Sequence, residues 1–82
     1  MTWVVSKLRA FHSHVTFYIE RKGRYIDNDH REYRIQVYFD GSWESFANKG
    51  GWWTHTNGVC EDAEPVLKAT LPKAQALLIL KG

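Results

Sequence analysis

Two stretches of the chain alternate apolar and polar residues with a period of two. In the first, Phe11, Val15, Phe17 and Ile19 interleave with His12, His14, Thr16, Tyr18 and Glu20. In the second, Tyr33, Ile35, Val37 and Phe39 interleave with Glu32, Arg34, Gln36 and Tyr38. Successive side chains of a strand point to opposite faces, so this pattern predicts strands over 11–22 and 31–40, each with one buried face. Asp27-Asn28-Asp29 lies between them and supplies turn chemistry, which makes the pair an antiparallel hairpin. A slip of two residues in its register leaves the same side chains in the core.

Asp40-Gly41 predicts a second turn and leads into a strand from Ser42 to about Ala47. The spacing of Trp43 and Phe46 there is odd for a strand, so a bulge or a short strand is expected. Asn48-Lys49-Gly50-Gly51 interrupts the pattern, Trp52 to Thr56 reads as a fourth short strand, and Asn57-Gly58 turns again. From Asp62 onward the residues are good helix formers apart from Pro65 and Pro72. Either two short helical pieces follow, or a short turn and a helix over 71–80 with Thr70 as its N-cap and Leu71, Ala74, Leu77 and Leu78 on one face. An edge strand at 76–80 is the competing reading. At the other end Trp3-Val4-Val5 is a short strand or an arm. The expected architecture is α+β: a three- or four-stranded antiparallel β-meander packed against a short C-terminal helix, with residues 1–82 as a single globular domain.

Composition sharpens this picture. In 82 residues there are four Trp, four Tyr and four Phe, with 44% hydrophobic and 24% charged residues, as a folded chain requires. The net charge of +2 is too small to demand a nucleic-acid or membrane partner. Its distribution is uneven: Lys7, Arg9, Arg21, Lys22, Arg24, Arg31 and Arg34 precede the acidic group Glu61, Asp62 and Glu64. Cys60 is alone, which excludes an internal disulfide and suits a reducing, cytoplasmic setting. The longest apolar run, Ala76 to Leu80, is five residues against the about 20 that span a bilayer. Met1-Thr2-Trp3-Val4-Val5 lacks a basic stretch followed by a sustained apolar one, so no secretory signal is expected.

Candidate chemistry is sparse. His12 and His14 share a strand face, and His55 lies near Cys60 in sequence, but no paired-ligand spacing of a zinc site links them. Asp27-Asn28-Asp29 lacks the glycine and distal glutamate of a calcium loop. Cys60 with His55 has no orienting third group, and Gly50-Gly51 lacks the lysine of a phosphate loop. No enzyme, metal or cofactor is expected.

Binding is the stronger expectation. Adjacent Trp52 and Trp53 cannot both reach the core if they lie in a strand, whereas Trp43 can. Trp52, Trp53, Tyr18, Tyr38 and Arg34 are the residue types that dominate protein interfaces, and they form the expected partner-binding set. The alternative is a single-stranded nucleic-acid-binding domain that uses the basic, Tyr-bearing hairpin through Arg21, Lys22, Arg24, Arg31 and Arg34.

In profile the chain resembles the small stand-alone inhibitors of bacteriophages and mobile elements, including anti-CRISPR proteins, without a shared motif. That resemblance implies a non-catalytic protein that occupies a site on a larger protein or nucleoprotein complex. Asp27, Asp29, Glu61, Asp62 and Glu64 would then meet a basic target surface.

Overall fold

A computed structural model describes residues 2–22 and 32–81. The expected Asp27-Asn28-Asp29 turn, together with Arg24 and Arg31, lies outside the described residues. Five strands follow one another in space as they do in sequence: β1 (Thr2–Ala10), β2 (His14–Lys22), β3 (Glu32–Tyr38), β4 (Trp43–Lys49) and β5 (Trp52–Thr56). Every neighbouring pair is antiparallel. A 3-10 turn, Glu61–Ala63, leads into one helix, α1 (Glu64–Lys81). This is the expected α+β meander with one strand more.

The additional strand is β1, which pairs with β2 from Thr2↔Lys22 to Ala10↔Val15. A β-bulge explains why its pattern is hard to read. Between Ser6↔Tyr18 and Arg9↔Thr16, β1 has one residue more than β2. The extra residue exchanges the two faces of the strand at that point and erases the period-two signature.

Two turns begin earlier or end later than the alternation suggests. Phe11 is a turn residue rather than the start of β2, and its N–H donates to the His14 carbonyl at 2.7 Å around His12-Ser13. Phe39 belongs to the Asp40-Gly41 turn and is 52% exposed, outside the core that its parity implied. β4 keeps one register throughout and needs no bulge, because Phe46 simply faces away from the core. Gly50 and Gly51 close the β4–β5 hairpin with φ of 64° and 89°, the left-handed pair that a two-residue turn requires.

Val15, Phe17, Ile19, Tyr33, Ile35, Val37 and Ala47 form the sheet side of the core, joined by Trp3. The helix side is Ala63, Leu67, Ala74 and Leu78, with Leu71, Leu77 and Trp43 packed at its margin. The expected apolar face of the C-terminal segment is therefore real, but one continuous helix carries it. Thr70 is no N-cap. Its hydroxyl donates back to the Val66 carbonyl at 2.8 Å. Pro72 lies inside the helix and removes the N–H that would reach the Lys68 carbonyl. Both Lys68 and Pro72 are exposed, so water can take that bond.

Polar groups secure the ends of this core. The Ser45 side chain, only 1% exposed, accepts the Gly58 N–H at 3.1 Å and lies within hydrogen-bond distance of the Thr56 and Gly58 carbonyls. It ties the β5 exit to β4. Trp3 and Tyr33 have ring centroids 5.6 Å apart, and the Arg21 guanidinium caps Trp3 at 4.9 Å. The Tyr33 hydroxyl accepts the Cys60 N–H at 3.1 Å and so anchors the start of the helical segment.

Removing the buried Ser45 hydroxyl leaves the half-buried Gly58 N–H without its acceptor, so Ser45→Ala should lower stability by about 1–3 kcal/mol in urea titration. Burial, with the Cys60 contact adding to it, pushes the Tyr33 phenol up to about 12 from an ordinary 10.0. Above pH 10 the unfolded chain loses this proton first, so this part of the stability is full below pH 10. It is lost as pH rises to 12, by roughly 2–3 kcal/mol. The difference between wild-type and Tyr33→Phe unfolding free energies should change across that window and be constant below it.

Candidate functional site

The helix packs on one face of the sheet, chiefly against β1, β2 and β3. No described element covers the other face. The register aligns Tyr18, Arg34, Phe46 and His55 in one row across β2 to β5 on that open face. Trp53 sits diagonally beside the row, opposite Asn48.

Arg34 is the centre of this group. Its guanidinium carbon lies 4.6 Å from the Phe46 ring centroid and 4.9 Å from that of Trp53. Tyr18 meets Trp53 edge-on, with centroids 5.7 Å apart and planes at 62°. Each cation–π contact is worth about 0.5–2 kcal/mol, so the side chains hold one another in place without a helix over them. Among the described residues no carboxylate lies within ion-pair distance of Arg34, and its Nε is buried without a hydrogen-bond acceptor.

A second group borders the first. The Tyr38 hydroxyl donates to Glu44 Oε1 at 2.6 Å and lies 3.0 Å from Gln36 Oε1. The carboxylate bond pushes the Tyr38 phenol up. Glu44 Oε2 is 3.2 Å from His55 Nε2, and His55 meets the Phe46 ring edge-on. On the other side Tyr38 contacts His14, on which Phe11 stacks at 5.0 Å.

At the β1 side of the open face lies a groove of about 300 Å³ lined by Lys7, Arg9, Phe11, Thr16 and Tyr18. The bulge builds it. Beyond the bulge Arg9 pairs with Thr16 on the open face, and Lys7 holds its Nζ 5.2 Å from the Tyr18 ring centroid. Lys7 adopts a φ of 52° to do so, and it is the only non-glycine residue with positive φ among those described. A side chain in left-handed backbone costs about 1–3 kcal/mol, a strain that the surrounding strand pairing must hold.

The structure thus brings together Tyr18, Arg34 and Trp53 from the expected partner-binding set. Tyr38 shares their face but belongs to the neighbouring group. Trp52 points the opposite way and is 79% exposed at the sheet edge, so the adjacent pair is split as strand geometry demands. Of the expected basic hairpin set, the described Arg21 and Arg34 lie on opposite faces of the sheet. Arg21 turns to the helix side, over Trp3 and 3.7 Å from Asp62, while Arg34 faces the other way. The reason is parity: Arg21 follows the core residues Phe17 and Ile19 at even spacing. Lys22 is exposed at the end of β2.

The remaining candidates separate. His12 lies in the turn rather than beside His14 on a strand. His55 engages Glu44 and Phe46 on the open face, whereas Cys60 packs at the margin of the core. Burial and the bond to Asp62 push the Cys60 thiol up, which disfavours the thiolate. Cys60, Trp3 and Arg21 hold the Asp62 carboxyl below its usual range. Among the described residues no three His, Cys, Asp or Glu side chains gather as metal ligands would. No helix among them is long and apolar enough to cross a membrane. Comparison with protein families, curated proteins and solved structures returns no match.

Sequence reasoning missed Phe46, whose outward parity becomes clear only once β4 is known to be regular. It missed the groove because Lys7 and Arg9 face Tyr18 only through the bulge. Lys7→Gly, which suits a positive φ, should melt within a few degrees of wild type. Lys7→Val, branched at Cβ, should lose about 1–3 kcal/mol in thermal denaturation.

Proposed function

We propose that this chain is a non-catalytic protein-interaction module that docks through the open face of its sheet. In this reading it occupies a site on a larger protein or nucleoprotein assembly, as small stand-alone inhibitors of the anti-CRISPR type do. The observation that carries the reading is the Arg34 guanidinium, set against the Phe46 and Trp53 rings with no carboxylate within ion-pair distance among the described residues.

Three physical features support it. Trp, Tyr and Arg are the types that most often dominate interface energetics, and here they meet at the middle of one face. Their mutual stacking fixes their rotamers before binding, so less side-chain entropy is lost on association. Around them lie polar residues, Glu44 with His55 on one side and Lys7 with Arg9 on the other, the usual order of apolar centre and polar rim. A partner that places a carboxylate or carbonyl over Arg34 and apolar area over Trp53 would complete both.

Trp52 offers a separate contact at the edge. The docking reading puts the main loss on Trp53. Trp53→Ala and Arg34→Ala should each weaken capture of the partner by about 2 kcal/mol or more, roughly 30-fold, with the circular dichroism spectrum retained. Trp52→Ala should have a smaller effect. If Trp52→Ala alone abolished capture and Trp53→Ala left it intact, the edge rather than the open face would be the docking surface. The measurement is affinity capture from native-host extract, followed by titration of the captured partner.

A further inference from the structure

The groove at β1 has a different composition from the Arg34 cluster. Two cations, Lys7 and Arg9, stand beside two aromatic rings, Phe11 and Tyr18, with Thr16 on its floor. Among the described residues neither cation has a carboxylate within ion-pair distance. Phe11 is 45% exposed, although turn residues with free choice are seldom large and apolar. The bulge that turns Lys7 and Arg9 onto this face holds Lys7 in left-handed backbone. Backbone strain of that kind clusters at binding sites.

We propose that this groove binds one nucleotide unit, with its phosphate between Lys7 and Arg9 and its base against Phe11 or Tyr18. Two cations match the charge of a phosphate monoester and exceed the single charge of a diester. The rings offer π-faces, and any base can stack on them without sequence readout. A volume of about 300 Å³ lies at the small end of ligand pockets, which suits one unit rather than a run of them. An acidic peptide would satisfy the cations, but its carboxylate brings no flat ring on the same residue. A nucleotide supplies anion and ring together. The site uses cations other than the Arg21, Lys22, Arg24 and Arg31 of the basic hairpin, and it stands whether or not the Arg34 cluster docks a protein.

The same chemistry occurs in a free nucleotide and in a single strand, and one titration series separates them. The probes are a fluorescein-labelled oligothymidylate of eight nucleotides, the same sequence annealed to its complement, thymidine monophosphate as competitor, and an oligoglutamate peptide. The expected result is binding of the single strand at low salt, with a slope of log K against log salt of about −0.7 for one phosphate contact. Lys7→Gly removes one cation while suiting the turn backbone, and Arg9→Gln removes the other. Each should weaken binding and flatten the slope toward zero. Phe11→Ala should weaken binding by roughly 5- to 100-fold. Displacement by the monophosphate at equal nucleotide concentration assigns the groove to free nucleotides, and binding of the strand without such displacement assigns it to single strands. The proposal is overturned if neither ligand binds or if the folded Lys7, Arg9 and Phe11 variants bind as wild type does. Equal affinity for the duplex, or tighter binding of the oligoglutamate than of the strand, overturns it as well.

Discussion

A helix of 18 residues, about 27 Å long, can cover one face of a five-stranded sheet and no more. The rest of the molecule follows from that constraint. The side chains of Phe17, Ile19, Ile35 and Val37 lie under α1 and reach essentially complete burial. Their strand neighbours point the other way, and their surface has to be useful or be made stable in water. Here it is stabilised by pairing rings with cations. Tyr18 takes Lys7, while Phe46 and Trp53 take Arg34. Such contacts tolerate water because the guanidinium is weakly hydrated on its faces and keeps its donors at the edge.

The two faces are locked by different chemistry. On the helix side, apolar burial does most of the work, and a few polar bonds fix what the short core cannot. Ser45 holds the strand exit, and Tyr33 holds the entry to the helical segment. Arg21 and Asp62 close the same corner from β2. On the open side Arg34 is held by rings, and its Nε lacks an acceptor among the described residues, as do Trp3 Nε1 and Arg21 Nε on the helix side. A buried polar hydrogen left unmet is a standing penalty.

Much of the fold was legible because β2 and β3 alternate cleanly and because Asp40-Gly41 and Gly50-Gly51 have turn chemistry that few other pairs share. The helix face at Leu71, Ala74, Leu77 and Leu78 was legible for the same reason of period. Its length was not, since Pro72 reads locally as a helix start, and only the exposed position of Lys68 lets the helix run through. β1 was legible only in part, as a short strand or arm at Trp3-Val4-Val5, because the bulge at Lys7 breaks the alternation beyond it. The candidate site divided along the same line. Tyr18, Arg34 and Trp53 were visible by parity, and parity also shows that Arg21 cannot join Arg34. Phe11, Lys7 and Arg9 were out of reach, because a turn and a bulge, not a periodic strand, place them together.

The central claim is that the uncovered sheet face, not the helix or the sheet edge, meets the partner. Hydroxyl-radical footprinting of the free and partner-bound protein, read residue by residue by mass spectrometry, tests this most directly. Protection of Trp53, Tyr18 and Phe46 on binding, with Trp52, Ile79 and Leu80 labelled as before, is the result that follows from this structure. Protection confined to Trp52 or to Ile79 and Leu80, with Trp53 and Tyr18 unchanged, would contradict it.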